Sequence, residues 1–264
     1  MIRWFLKIRK KITDKIPKIY KDHLISLIFL KKRIPNYKLI LKKLENCEQI
    51  IEIGGPSDNF FTRIPLYQKI KKLDIVNYSK HTIWDKNINQ KNKYNYFSNK
   101  FANQIISEAV NLDKIKDNTY DAVLSSHCLE HIANPIKALF EKNRILKSSG
   151  YFLLILPNKR KNFDHKRPYT TFEHLIDDYK NNVSEDDLTH YDEIVLLHDI
   201  FMDGFKNREK FIERSKKNYI NRCFHHHVFD KKLIYNMLTY TNFSIISFFE
   251  LDYDYVIFAI SNKN

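Results

Sequence analysis

Short apolar runs alternate with amphipathic segments through residues 46–157. The runs have the length and flanking turn residues of buried strands, and they predict strands at residues 50–53, 70–76, 104–110, 120–124 and 151–156. Residues 130–146 repeat apolar positions at helical spacing. Strands that alternate with helices predict an α/β fold with a parallel, doubly wound sheet.

The end of the chain follows a different pattern. Residues 231–241 predict a helix, and residues 243–251 and 255–261 predict two strands. Only Asp252-Tyr253-Asp254 separates these strands, which is too short for a crossover connection. We therefore expect an antiparallel hairpin at one edge of the sheet.

Residues 158–228 interrupt the alternation and are rich in His, Asp, Arg and aromatic residues. Their periodicity predicts helices at 172–180, 185–201 and 208–217. We interpret this segment as a helical lid that binds the acceptor. The predicted organisation is basic N-terminal helices at 1–45, a cofactor-binding core at 46–157, the lid at 158–228, and a C-terminal helix and edge strands at 229–264.

Positive charge is concentrated at the N-terminus. Residues 1–43 carry 14 of the 45 Lys and Arg but two of the 31 Asp and Glu, so the rest of this +14 chain is almost neutral. The segment predicts basic amphipathic helices, which pack on the domain or bring residues 1–20 into peripheral contact with an anionic membrane. This partition argues against a specific nucleic-acid partner.

The three cysteines are far apart in the sequence and odd in number. They exclude a disulfide framework or a zinc ribbon and indicate a reducing compartment. The apolar run at 24–30 is too short to cross a bilayer, and no cleavage-site pattern indicates a signal peptide. We expect a cytoplasmic protein, with the inner face of the membrane as an alternative location. Nothing here predicts an oligomeric state.

Two of the four glycines are adjacent, as Gly54-Gly55, directly after the first predicted strand. A missing Cβ lets a ligand approach the backbone closely. Glu52 places a carboxylate near the same strand end. The pattern predicts a nucleotide-type cofactor site at the carboxyl edge of a parallel sheet, although a ligand-free tight turn would also explain it. The dinucleotide fingerprint is absent, because Pro56-Ser57-Asp58 follows.

Three blocks in register resemble class I S-adenosylmethionine (SAM)-dependent methyltransferases of the type 11 branch. They are Glu52-Ile53-Gly54-Gly55, the strand block YDAVLSSHCLEHI at 120–132, and Asn134-Pro135 leading a helix that ends RILKSSG at 144–150. The likeness runs from about residue 49 to 157. It implies a Rossmann-like, mostly parallel seven-stranded sheet with an antiparallel C-terminal hairpin. SAM is the implied cofactor, and S-adenosylhomocysteine is its product.

The resemblance also implies where that cofactor binds. Glu52 would hold the ammonium directly or through water, and Gly54, Gly55 and Pro56 would lie along the methionyl part. Asp74 would bind the ribose hydroxyls. The remaining expected contacts are Glu108 and Ala109 to the adenine, and Ser125 and Ser126 beside the sulfonium.

Ten of the 11 histidines lie between residues 81 and 227, and three of them are consecutive at 225–227. In an extended chain His225 and His227 would share one face and His226 the other. A neutral imidazole near the sulfonium could take the proton from an acceptor hydroxyl. We predict His127, His225 and His227 as catalytic candidates. The predicted acceptor-binding residues are Arg167, His174, Asp187, His190 and His226.

A divalent metal is the alternative use of this lid. His225 and His227, together with Asp187, His190, His198 and Asp199, offer nitrogen and oxygen ligands. Their spacing matches no fixed metal-binding signature. We therefore expect no metal, and keep this set of residues as an open possibility.

The lid also resembles a subset of bacterial type 11 methyltransferases associated with surface polysaccharides. The resulting hypothesis is an O-methyltransferase for a small polar acceptor, a sugar or nucleotide-linked precursor of such a polysaccharide. An RNA or other nucleic-acid methyltransferase is the nearest alternative, motivated by the net charge. A metal-dependent hydrolase built on the His/Asp lid and a noncatalytic binding partner are the others.

Overall fold

The computed structural model describes residues 33–84 and 93–263. The predicted helix and membrane contact at residues 1–20 lie outside these ranges. Within them, eight strands form one sheet in the order β3-β4-β2-β1-β5-β6-β8-β7. The strands are β1 (Gln49–Ile53), β2 (Lys72–Asn77), β3 (Lys93–Phe97), β4 (Lys100–Ile106), β5 (Tyr120–Ser126), β6 (Leu146–Pro157), β7 (Phe243–Glu250) and β8 (Asp254–Ser261).

The five central strands β4, β2, β1, β5 and β6 are parallel, as expected from the alternation of strands with helices. The chain builds outward from β1 on one side through β2 and β4, and on the other through β5 and β6. The strand order therefore reverses between β1 and β5, the position at which sheets of this class bind ligands. The Rossmann-like α/β fold is confirmed.

The sheet differs from the predicted seven strands by one added strand, β3. β3 pairs antiparallel with β4. The sequence analysis missed β3 because its residues are only partly buried at the sheet edge and lack an apolar run. It also placed the third strand four residues too late, because the apolar residues that indicated it extend beyond Ile106. At the other edge β8 lies between β6 and β7, which forms the expected C-terminal hairpin.

Apolar side chains alternate between the two faces of the sheet, because successive residues of a strand point to opposite sides. On β6, Phe152 and Leu154 pack on one face and Leu153 and Ile155 on the other. The first face is covered by α3 (Pro135–Ile145), α4 (Phe172–Lys180) and α8 (Lys231–Tyr240), and the second by α1 (Tyr37–Leu44) and α2 (Asp58–Thr62).

The predicted lid contains α4, α5 (Tyr191–Leu197), α6 (Arg208–Lys216) and α7 (Asn218–Asn221). The helix expected at 185–201 is shorter than predicted, because Ser184–Thr189 forms turns in which Asp187 caps its own loop. Residues 222–230 form an irregular extended segment that leads into α8. In the part of the chain that the structure describes, each helix is too short or too polar to cross a membrane.

Candidate functional site

A cavity of about 620 Å³ lies at the carboxyl ends of the parallel strands. Its floor is made by residues that directly follow β1, β2, β4 and β5, and its roof by residues of the lid. The predicted residues Gly54, Gly55, Pro56, Ser126 and His127 line it, as do Glu108, Ala109 and His225. The cavity therefore joins the predicted cofactor edge to the predicted acceptor lid.

The glycine pair allows the chain to turn under this cavity. Gly54 has a φ of +80°, and a Cβ there would lie 2.7 Å from the Sγ of Cys128. A Cβ on Gly55 would lie 2.3 Å from the carboxyl carbon of Glu52. Both positions exclude a side chain, for different reasons. The backbone is consequently open to a ligand above, which fits the predicted cradle for the methionyl part of SAM.

Glu52 is not part of the cavity surface. It is fully buried beneath Gly55, where its carboxylate accepts hydrogen bonds from the Tyr67 hydroxyl at 2.7 Å and the Ser57 amide at 2.9 Å. Burial raises the pKa of Glu52 to about 8, against the opposing effect of these hydrogen bonds. The expected direct contact with an ammonium is therefore wrong, and Glu52 instead supports the turn from below.

Asp74 is likewise displaced from its predicted role. It is the third residue of β2 and pairs with Ile51, so it lies well before the strand end. Its carboxylate accepts from the Asn103 amide at 2.8 Å and the Tyr120 hydroxyl at 2.7 Å. The strand ends at Asn77, which lines the cavity and donates to the carbonyl of Gly55 at 3.0 Å.

Asn77 and Tyr78 therefore stand at the strand end where the ribose contact was expected, and neither residue was predicted. The alignment of the end of β2 with the end of β1 is the signal that could have indicated these two residues. Gly54 donates its amide to the carbonyl of Val76, which aligns the end of β2 with the glycine turn. Any residue that meets a ligand at that turn must follow Val76 rather than precede it.

The pair Glu108-Ala109 lies where the resemblance placed it, on the cavity wall. One oxygen of Glu108 accepts from Arg222 of the lid at 2.8 Å. Arg222 also contacts Glu185 at 2.6 Å, and its guanidinium lies 5.2 Å from the ring centre of Tyr78. Arg222 thus connects the adenine edge to the lid, a role that the sequence analysis did not assign.

The two serines at the end of β5 point to opposite sides of the sheet. Ser126 lines the cavity and accepts from the Asn59 amide at 2.9 Å. Ser125 is fully buried and does not reach the cavity surface. The predicted contact of Ser125 with the sulfonium is therefore wrong, because neighbouring strand residues alternate in direction, and that of Ser126 stays a prediction.

His127 is held between two carboxylates. Its Nε2 lies 2.9 Å from Asp254 and its Nδ1 lies 3.5 Å from Glu130. Burial alone would lower its pKa, but the hydrogen bonds to these carboxylates dominate and raise the pKa of His127 to about 10. His127 is therefore an imidazolium at neutral pH, a state that does not suit the predicted role of a base.

His225 has the geometry expected of a base. Its Nδ1 lies 2.5 Å from Asp164, which fixes the proton of the neutral ring on that nitrogen and leaves Nε2 unprotonated. The residue lines the cavity. His131 stands beside it with ring centres 4.7 Å apart, and its Nδ1 donates to the carbonyl of Phe224. Burial lowers the pKa of His131 to about 4, so this ring is neutral.

Arg167 and His226 are structural members of the lid rather than cavity residues. Arg167 is almost completely buried and donates to Asp164 at 3.1 Å and to the carbonyl of His225 at 2.6 Å. The Nε2 of His226 accepts from the amide of Asn218 at 3.1 Å. Neither residue lines the cavity, so the predicted direct contact with an acceptor is not formed. Arg167 instead holds the Asp164–His225 pair in place.

His227 does not share a face with His225, contrary to the prediction. The segment 222–230 is irregular and unpaired with any strand, so strict alternation does not apply to it. His227 packs with His174 and His190, and none of the three lines the cavity. The structure thus gives His227 no access to a methyl group, and it separates His174 and His190 from the acceptor.

The predicted metal set is divided among separate places. His198 contacts Asp203, Asp199 contacts His165, and the Asp187 carboxylate is 3.9 Å from His226. Within the described residues, ligand atoms converge within 4.8 Å in two other groups. One is Glu130, His131 and His225 at the cavity wall, and the other is His174, His190 and His227 in the lid.

Comparison with known proteins identifies the core. Residues 53–154 match the family model described as a methyltransferase domain. The chain carries a methyltransferase domain. The matched range begins at the end of β1 and ends within β6, so it contains the glycine turn, Asn77, Glu108 and Ser126. The predicted methyltransferase core is therefore confirmed for these residues.

Solved structures show the same fold at low sequence identity. A SAM-dependent methyltransferase from Mesorhizobium loti is 10% identical, covers 86% of this chain and 96% of its own, and has a TM-score of 0.51. One from Methanosarcina mazei is 17% identical over 87% and 98% of the two chains, with a TM-score of 0.49. Human N-acetylserotonin methyltransferase in complex with SAM is 13% identical over 86% and 52%, with a TM-score of 0.46.

Among curated proteins, an uncharacterised protein of Methanocaldococcus jannaschii is 50% identical over 44 residues. This match covers 17% of this chain and 19% of the length of that relative. It adds no information about the acceptor.

Proposed function

We propose that this chain is an O-methyltransferase that moves the methyl group of SAM to a hydroxyl of a small polar acceptor. The observation that carries the proposal is the Asp164–His225 pair, whose histidine comes from the lid and lines the same cavity as the glycine turn. An imidazole oriented by a carboxylate is the arrangement that accepts a proton from a hydroxyl nucleophile.

Several residues of this cavity would hold the methyl donor. The bare backbone at Gly54 and Gly55 fits the methionyl part, Asn77 and Tyr78 stand where the ribose is expected, and Ala109 stands at the adenine position. When bound, SAM supplies an electrophilic methyl group on a sulfonium. The residues of the chain orient that group and exclude water from it, because alignment in an in-line displacement provides much of the rate.

His225 would act on the acceptor. In the proposed step the acceptor oxygen forms a bond to the methyl carbon as the carbon–sulfur bond breaks, and the hydroxyl proton passes to Nε2 of His225. Asp164 stabilises the imidazolium that results, since its carboxylate already contacts Nδ1. The pKa of Asp164 is held below its ordinary value by His225 and Arg167, against the effect of burial, so it remains an anion for this purpose.

The acceptor that we propose is a sugar or nucleotide-linked precursor of a bacterial surface polysaccharide. Support comes from the mixed lining near His225, where Asn162, Glu185 and Arg214 offer hydrogen bonds beside the aromatic Phe163. Several hydrogen-bonding groups around one apolar surface suit a polyhydroxylated ligand. Such precursors are made in the cytoplasm, which is the location that we propose, with the inner face of the membrane as the alternative.

The test is transfer of labelled methyl from SAM to a panel of nucleotide-activated sugars, phosphorylated metabolites and RNA. We expect a nucleotide-linked sugar to be labelled, and His225→Ala to lower kcat by about 100-fold or more with little change in donor affinity. The matched control is His165→Ala, a lid histidine that contacts Asp199 away from the cavity. Label in RNA alone, or full activity of the His225 variant, would contradict the proposal.

A further inference from the structure

Three imidazoles and one carboxylate converge in the lid at a place separate from the cavity. His174 Nε2 lies 3.0 Å from His190 Nε2 and 3.3 Å from Asp178 Oδ2. His227 Nε2 lies 3.6 Å from the same Asp178 oxygen. One nitrogen from each of the three histidines lies within 4.8 Å of the others. The three histidines therefore point to one centre, and the Asp178 carboxylate lies beside two of them.

The fold produces this convergence from three elements. His174 and Asp178 are one turn apart on α4, so their side chains emerge on the same face of that helix. His190 stands at the start of α5, and His227 comes from the extended segment before α8. The group thus connects two lid helices to the chain that returns to the sheet.

Hydrogen bonds account for only part of the group, because His174 and His190 share one and His227 Nε2 donates to the carbonyl of Ala133 at 3.1 Å. Asp178 Oδ2 and His227 Nδ1 are buried atoms for which the described residues provide no hydrogen-bond partner. Such atoms are rare in folded proteins, because an unpaired buried polar atom costs about 1–3 kcal/mol. A neutral imidazole also carries only one N–H, so three rings have too few protons to satisfy one another and a carboxylate.

A cation at the centre would satisfy these atoms. Zinc binds histidine nitrogen and carboxylate oxygen at about 2.0–2.1 Å, so tetrahedral ligands lie about 3.4 Å from one another. The separations of 3.0 and 3.3 Å measured from His174 Nε2 lie close to that value. Three imidazoles favour zinc or a similar transition metal over magnesium, which prefers oxygen ligands.

We propose that His174, His190 and His227, with the Asp178 carboxylate beside them, form a site for Zn²⁺ or a related divalent transition metal. The site closes the lid by tying α4 and α5 to the segment 222–230. His225 and His226 belong to that segment, so the metal holds the cavity-lining histidine in register with the sheet. The site rests on its own geometry and stands independently of the proposed methyl transfer.

The test is the metal content of the purified full chain, expressed without a histidine tag and measured by plasma mass spectrometry. We expect close to one equivalent of zinc in the wild type and in the His165→Ala control, and strong loss in His174→Ala and in the isosteric Asp178→Asn. Replacement by Co²⁺ should give the intense visible absorption of tetrahedral cobalt. A chelator should lower the Tm of the wild type and leave that of the Asp178 variant unchanged.

Three results would overturn the proposal. They are wild-type protein without bound metal after zinc supplementation, equal metal content in all variants, and metal that is lost in His131→Ala but kept in His174→Ala. The last result would assign the metal to the cavity group of Glu130, His131 and His225. None of these measurements requires an acceptor. The metal site can therefore be refuted while the proposed methyl transfer stands, and the methyl transfer can be refuted while the metal site stands.

Discussion

Replacing Glu52 with glutamine should remove a large pH dependence from the stability of this protein. Glu52 is fully buried under the glycine turn, and burial raises its pKa from 4.5 to about 8. The folded chain therefore holds a proton that the unfolded chain releases above pH 4.5. Since the unfolded state then binds fewer protons, stability is highest below pH 4.5 and falls as the pH rises towards 8.

The size of the effect follows from the shift. Each pH unit is equivalent to about 1.4 kcal/mol, so Glu52 lowers the free energy of unfolding by about 3 kcal/mol between pH 4.5 and 7, and by about 4 kcal/mol by pH 8. A glutamine has the same shape and no charge. In the wild type the two carboxyl oxygens of Glu52 contact the Ser57 amide and the Tyr67 hydroxyl. The glutamine oxygen can accept from the Ser57 amide, and its NH₂ can donate to the Tyr67 hydroxyl.

The assay is urea denaturation of both proteins from pH 4.5 to 8. The difference between Glu52→Gln and wild type cancels the other titrating groups, and we expect it to rise by about 3 kcal/mol in favour of the variant by pH 7. Glu48→Gln is the matched control, because Glu48 lies just before the same strand but is exposed. Parallel curves for wild type and Glu52→Gln would refute the assigned burial and protonation of Glu52.

The remaining predictions concern residues whose roles the structure changed. Asp74→Ala should lower the free energy of unfolding by about 1–3 kcal/mol, because the Tyr120 hydroxyl loses its acceptor, and should leave the Kd for S-adenosylhomocysteine within about twofold; a selective loss of binding in calorimetry would restore Asp74 to the ribose. Arg222→Gln should lower the free energy of unfolding, measured by urea denaturation, by about 3 kcal/mol and should weaken the binding of the methyl donor, because Glu108 and Glu185 lose their shared cation. The more exposed ion pair of Arg160 with Glu250 provides the control, and equal small losses in Arg160→Gln and Arg222→Gln would show that the lid contact is unimportant.

The sheet could be predicted from sequence because its central strands are buried on both faces. Short apolar runs such as 50–53 and 151–156 are typical of buried strands, and both form strands in the structure. The glycine pair was also informative, since a positive φ at Gly54 and the close approach of Cys128 allow no other residue there. The edge strand β3 could not be predicted, because its half-exposed residues lack the hydrophobic signal.

The site was only partly predictable, for a geometric reason. Which acid meets a ligand depends on where a strand ends, and that end is set by pairing with neighbouring strands. The predicted strand 70–76 made Asp74 look terminal, whereas pairing with β4 extends β2 to Asn77. The three adjacent lid histidines show the same limit. Partners from three distant elements, including Asp164 and Ala133, decide where each ring points, and a local pattern contains no information about them.

The central claim is that the glycine turn forms the floor of a methyl-donor site, and binding of S-adenosylhomocysteine measured by calorimetry tests it most directly. Gly54→Ala and Gly204→Ala form a matched pair, because both glycines have a positive φ of at least +80°. Only the Cβ at position 54 would collide with a neighbour. We predict one binding site in the wild type, unchanged affinity in Gly204→Ala, and at least about tenfold weaker binding in Gly54→Ala. Absence of binding to the wild type, or equal affinity in all three proteins, would contradict the account.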